Sequence, residues 1–285
     1  MDNKEIVTLL GRIADALERL APATAPQDDL PKSEGYMWDS ISARPIPVSH
    51  IQRLPLSALK GISAQSHKLY ENTKAFAQGK LANNALLWGA RGTGKSSLIK
   101  AVHGDLCAEG FDVRIVEIAR EDIGDLPILM TYLAKLSARF IVFCDDLAFD
   151  AAESSYKALK AALEGGLSGR PSNIEFYASS NRRHLMARSM IENERSSAIN
   201  PSEAVEEKVS LSDRFGLWIG FHSLDQDGYL AIIDGYIAHY NLPTKFEDIR
   251  QDALQWAMER GNRSGRTAHQ YIIQLAAELD VKINI

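Results

Sequence analysis

Three things are scarce in this 285-residue chain: cysteine, long apolar runs and an excess of basic charge. Two cysteines are too few for a disulfide framework, and Cys144 sits inside an apolar run, where a small reduced core residue is expected. No apolar stretch approaches the ~20 residues that a bilayer-spanning helix needs. The opening "MDNKEIVTLL" carries early acids and lacks signal-peptide architecture. Together these absences make the cytoplasm the expected compartment and exclude a membrane role. A net charge of −5 leaves no chain-wide footprint for nucleic acid, although a local basic patch stays open. What remains, 45% hydrophobic and 24% charged, is the composition of an ordinary globular protein, long enough for one large domain or a core with a smaller companion.

Residues 1–20 form the first unit. Ile6, Leu10, Ile13, Leu17 and Leu20 fall at alternating steps of four and three, which is one helical stripe over about two heptads. That amphipathic helix could dock a protein partner, join copies of the chain or pack on its own body. Residues 21–50 follow as a linker, with Pro22, Pro26 and Pro31, and then an extended lead-in segment over 36–50. Residues 51–224 alternate in the α/β manner: helices over 63–78, 96–110, 125–137 and 151–164, and strands over 84–88, 113–118, 140–144, 174–179 and 217–221. Five strands with helical connections predict a parallel sheet covered by helices on both faces. From 225 to 285 the pattern is purely helical, with Leu230, Ile233, Ile237 and Tyr240 on one stripe, and reads as a separate helical subdomain.

The chemistry begins at "GARGTGKSS", residues 89–97, which fits G-x-x-x-x-G-K-[ST], the Walker A pattern of a P-loop NTPase. Chance would place such a match in about 1% of chains this long, estimated from residue frequencies, and here it also joins a predicted strand to a predicted helix. In such a cradle Gly89, Ala90, Arg91, Gly92, Thr93, Gly94 and Ser97 turn backbone N–H groups toward phosphate oxygens. Lys95 reaches the β- and γ-phosphates and Ser96 offers its hydroxyl to Mg²⁺. The second signal is "RFIVFCDDLAFD", residues 139–150, an apolar strand running into two acids. Burial of such a pair would demand a counter-charge. A strand beside the loop would bring Asp145 to Mg²⁺ through its water shell and Asp146 to the attacking water; Asp146 could instead cap the next helix.

With these residues in place, the chain resembles the AAA+ ATPase superfamily, in Walker A and Walker B alike. The wording of "FCDDLAF", "SSNRRHL" and "LSDRFGLWIGF" resembles one bacterial family of stand-alone predicted ATPases of unassigned function, over roughly residues 50–280. The resemblance implies further roles. Asn181 takes the place of the polar first sensor, Arg214 that of an arginine finger reaching a neighbouring subunit's nucleotide, and Arg266 that of the second-sensor arginine on a C-terminal lid. Ile62 becomes the adenine contact. It also implies ATP and Mg²⁺ as cofactors and a homo-oligomer, a hexameric ring first among the options.

One departure matters. Most superfamily members have Asp then Glu at the strand end, whereas this chain has Asp145 then Asp146, shorter by roughly 1.5 Å. A misplacement of ~1 Å can cost on the order of 10²-fold in rate, so slow but real hydrolysis is expected. The partner is read less directly. "AREDIGDLP" (119–127), where protein-threading relatives carry an aromatic–glycine loop, has no aromatic residue and holds Asp122 and Asp125. Arg182, Arg183, Arg188 and Arg195 could track phosphates, but two intervening glutamates dilute them and no aromatics interleave. Three classes follow: an ATP-driven remodeller of a protein partner, a DNA-linked ATPase of the initiator or helicase-loader type, and a slow nucleotide switch.

Overall fold

Strands that are apolar at consecutive positions need cover on both faces, and here neighbouring residues feed two different cores. In the computed structural model, which describes residues 30–149, 155–165, 169–183, 185 and 213–283, the chain alternates between strands and helices along most of its length. The elements are β1 (Gly35–Asp39), β2 (Arg44–Pro47), α1 (Ser63–Ala77), β3 (Ala85–Gly89), α2 (Lys95–Ala108), β4 (Val113–Glu117), α3 (Leu126–Leu133), β5 (Arg139–Cys144), α4 (Ser155–Glu164), β6 (Ile174–Ser180), β7 (Leu217–Phe221), α5 (Gln226–Tyr240), α6 (Phe246–Glu259) and α7 (Gly265–Glu278). Phe140, Val142, Phe176 and Ala178 face a core closed by α3 and α4. Ile141, Phe143 and Tyr177 face a second core, closed by Leu69 and Phe76 of α1 and Leu98 and Val102 of α2.

Among the described residues the sheet has seven strands in the order β2-β1-β4-β5-β6-β3-β7, not the five that the sequence pattern predicts. All five expected strands are present and parallel to their neighbours; β1 and β2 extend the sheet beyond β4. Tyr36 and Trp38 bury themselves while Met37 stays exposed, the alternation of a half-covered strand. The hairpin falls within the 36–50 stretch expected to be extended, although Pro45 and Pro47 would be out of place in a central strand. They are tolerated because β2 is the edge: Ile46 pairs with Met37, and the Val48 N–H donates to Gly35 at 2.8 Å, so the proline nitrogens face away from β1.

A second correction concerns order. β5, which carries the two acids, does not lie beside β3; β6 is inserted between them. The register sets Cys144 of β5 opposite Ala178, and Trp88 of β3 opposite Ser180. The carboxyl ends of three strands therefore share one edge of the sheet.

After β7 the chain is helical. α5, α6 and α7 pack around Tyr229, Ile233, Ala253, Ala268 and Ile272, a core separate from the two that flank the sheet. Cys144 is buried in the sheet, and burial pushes its thiol up to about 12, as befits an inert core residue. Among the described residues no helix is long and apolar enough to cross a membrane. The 1–20 stripe lies outside the described residues, as do Arg188 and Arg195.

Candidate functional site

The loop between β3 and α2 is shaped by glycine. Gly89 has φ +136°, and a Cβ there would sit 1.9 Å from the Phe221 carbonyl oxygen. Only glycine lets β3 end so close to β7 that the Ala90 N–H donates to Phe221 at 3.2 Å. Gly94, left-handed at φ 94°, opens α2, and among the described residues no side chain caps that helix end. The uncapped N–H groups at the start of a 14-residue helix make a ready anion site. The Thr93 hydroxyl donates to the Ala90 carbonyl at 2.8 Å and ties the loop to itself.

Lys95 is almost fully buried, and its ammonium donates to the carbonyls of Gly89 (2.9 Å) and Ala90 (2.7 Å) and to Oδ1 of Asn181 (3.2 Å). Burial lowers its pKa; Asp145 and Asp146 oppose that shift, and the nearby Arg91 and Arg266 reinforce it.

The two acids are exposed, contrary to the expectation that the apolar strand would bury them. β5 buries its side chains up to Cys144 and then runs out of the sheet. Burial therefore does not demand a counter-charge; geometry supplies one all the same. Oδ1 of Asp145 accepts from the hydroxyls of Ser96 and Ser179, each at 2.5 Å, and from the Asp146 N–H at 3.1 Å. The amide of Asn181 donates to Asp146 while its carbonyl accepts from Lys95, so one side chain bridges cation and acid. Asp146 itself has φ +50°, a left-handed conformation uncommon outside glycine.

These groups surround a cavity of about 450 Å³. Of the residues singled out from sequence, it gathers Arg91, Gly92, Gly94, Lys95, Ser96, Ser97, Asp145, Asp146, Asn181 and Arg266. Ser179 also lines it, and sequence reasoning missed it; the doubled serine of "SSN" was the available signal. A larger cleft of about 940 Å³ adjoins it between Ala90–Thr93 and the C-terminal helices. Its wall carries Arg91, Arg260, Arg263 and Arg266 and, among the described residues, no carboxylate. Arg260 and Arg263 were also missed, although they precede Arg266 at three-residue spacing. The Gly265 N–H donates to the Gly92 carbonyl at 2.7 Å, bringing the first turn of α7 against the loop.

Two expected residues lie elsewhere. Ile62 is buried in the core beneath α1 and α2 and lines neither cavity, although its Cδ1 would lie 3.7 Å from a Cβ on Gly94. Arg214 lines neither cavity and instead bonds Glu164, with Nε 2.7 Å from Oε1.

The donor set fits a hard cation. Ser96 and Asp145 offer oxygen ligands, which suit Mg²⁺. Among the described residues no group of three or more His, Cys, Asp or Glu could hold a metal alone. Substrate oxygens and water would complete the shell, the usual arrangement for Mg²⁺ at phosphates.

The comparisons agree with this architecture. The family described as "Protein of unknown function (DUF815)" matches residues 31–279. No curated protein matches the sequence. Among solved structures, the chain is similar to the Thermotoga maritima RuvB Holliday junction branch migration motor, with 14% identity over 81% of this chain and 68% of that one and a TM-score of 0.50. It is also similar to the Aeropyrum pernix Orc1 protein in complex with DNA, with 15% identity over 74% and 58% and a TM-score of 0.52. At such identities the likeness is one of fold.

Proposed function

This chain belongs to the DUF815 family and to the AAA+ superfamily by fold, and on that premise we propose that it binds ATP with Mg²⁺ and hydrolyses it to ADP and phosphate. One observation carries the reading: Lys95, Ser96, Asp145, Asp146 and Asn181 meet in one cavity at the N-terminus of α2. Loop N–H groups between Arg91 and Ser97 take the phosphate oxygens, while Gly89 and Ala90 hold the loop to β7, and Lys95 exchanges loop carbonyls for the β- and γ-phosphates. Mg²⁺, held through Ser96 and Asp145, supplies neutralising charge at those oxygens. Asp146 orients the attacking water and accepts its proton, with Asn181 fixing the carboxylate. Arg266 faces the same cavity from α7, and residues 225–285 serve as a lid on a 51–224 core. The larger cleft takes the nucleoside, with Ile62 a support beneath the loop rather than a wall.

Arg214 supports assembly. Exchanging Glu164 for the nucleotide of a neighbouring copy would make it a trans-acting arginine, worth ~10³–10⁵ in rate. The chain is then a homo-oligomer, a hexamer in the simplest form, that remodels or switches a protein partner recruited through residues 1–20. Calorimetry of Mg-ADP and Mg-ATP on the wild type and Lys95→Ala tests the site, with binding expected only in the former. ATPase rates rising more steeply than protein concentration test the assembly; a strictly linear rise, with no oligomer in ATP, counts against it.

A DNA-linked ATPase is the second reading. Arg260 and Arg263, exposed on a cleft wall that holds no carboxylate among the described residues, favour it. Stimulation of hydrolysis by single- or double-stranded DNA would separate it from the first.

A further inference from the structure

The short second acid and the left-handed backbone beneath it occur at the same residue, and a single side chain from β6 touches that backbone and the carboxylate of the acid before it. Ser179 is buried. Its hydroxyl donates to Oδ1 of Asp145 at 2.5 Å and lies 3.1 Å from the Asp146 N–H, which it accepts. Its own carbonyl accepts from the Leu147 N–H at 2.7 Å. One residue thus pins three consecutive positions of the turn: the carboxylate of 145, the amide of 146 and the amide of 147.

We propose that Ser179 is a positioning residue that aims Asp145 at the metal side of the cavity and holds Asp146 in its left-handed turn. The proposal rests on the ATP-binding reading above. Ser96, Ser179 and the Asp146 amide all bond Oδ1 of Asp145, none of them bonds Oδ2, and the residue lines the cavity. A residue at φ +50° also explains the acid chosen. Aspartate enters the left-handed region more readily than glutamate, because its short polar side chain bonds locally. The turn directs the short carboxylate to Asn181, which a β-region residue of the same length has no reason to meet. Aspartate at 146 is therefore matched to its backbone rather than a truncated glutamate, and Ser179 is the residue that sustains the match.

The test compares full-length wild type, Ser179→Ala and Ser179→Thr, using ADP with and without Mg²⁺ in calorimetry. Groups that orient a metal ligand typically change metal affinity by ~10–100-fold when removed. Ser179→Ala is expected to lose at least ~10-fold of the affinity gain that Mg²⁺ confers on ADP, with Mg-free ADP binding unchanged, and Ser179→Thr to recover part of it. The Asp146 amide gives a ligand-free readout: its proton resonance should move upfield in Ser179→Ala, with hydrogen exchange hastened. An unchanged Mg²⁺ increment together with an unmoved Asp146 amide overturns this proposal and leaves nucleotide binding standing. A wild type that binds no ADP under either condition sinks the nucleotide reading itself, and the proposal with it. If Ser179→Ala folds poorly, Ser179→Cys, which weakens the donor while keeping the size of the side chain, decides through the same two readouts.

Discussion

The backbone of Gly265 donates its N–H to the carbonyl of Gly92, 2.7 Å away, so the first turn of α7 rests directly on the loop between β3 and α2. No side chain intervenes, because both contacting residues are glycines. A Cβ on Gly265 would lie 3.0 Å from that carbonyl oxygen, tighter than ordinary contact. Gly265→Ala is expected to destabilise the protein by about 1 kcal/mol, the net worth of one hydrogen bond. Urea unfolding at constant pH measures it, and a change within error would show that the loop and the helix do not depend on one another.

Two glycines with positive φ separate backbone strain from overlap. Gly261 has φ +67° with nothing within 4 Å of a built Cβ, whereas Gly89 has φ +136° and would drive a Cβ to 1.9 Å from Phe221. Gly261→Ala should cost ~1–2 kcal/mol, the price of a left-handed residue alone. Gly89→Ala should cost clearly more, since β7 must move as well. Equal melting points for the two variants would refute the packing argument.

Glu175 gives the fold a pH dependence. It lies on β6, 3% exposed, with Oε1 2.7 Å from Arg170 and Oε2 without a hydrogen-bond partner among the described residues. Burial pushes its pKa from 4.5 up to about 7, against the pull of Arg170. Between pH 4.5 and 7 the native state holds a proton that the unfolded chain has released, so stability falls as pH rises through this window and levels off above it. The loss is on the order of 1–3 kcal/mol. Glu175→Gln has no proton to lose, so its stability relative to wild type should improve steadily over the same window. Parallel curves of melting temperature against pH would contradict this.

The Arg214–Glu164 pair can be structural or a resting place. Both side chains are partly exposed, and such pairs contribute ~0–1 kcal/mol, so neither Arg214→Ala nor Glu164→Gln should shift stability much. Activity should divide them. Arg214→Ala is expected to lose ~10³-fold or more in hydrolysis under assembling conditions, and Glu164→Gln to keep wild-type turnover or exceed it. Equal losses in both would assign the pair to local structure.

The hydrophobic pattern of "FIVFC", "IEFYAS" and "LWIGF" located three strands to within a residue or so, because a run apolar on both faces has few other homes. The glycine loop was legible for a similar reason: few residues tolerate its backbone, so their spacing is restrictive. Strand order was not legible. Which strand lies between β3 and β5 depends on crossovers that leave no mark in local sequence, and Ser179 gains its role only from that insertion. The hairpin lay within a stretch legible only as extended, and the exposure of the acids was hidden by the assumption that a buried strand stays buried to its last residue. Arg260 and Arg263 carry no motif of their own in the sequence, and only the fold sets them on a cleft wall beside the loop.

Pro45 and Pro47 turn imino nitrogens, with no hydrogen to give, toward the outer side of β2. That rim offers a docking strand acceptors without donors, which disfavours fusion of the sheets of two copies there into a continuous ribbon. Self-association is thereby steered to other faces of the molecule, and the hairpin doubles as a guard against sticky, open-ended polymerisation.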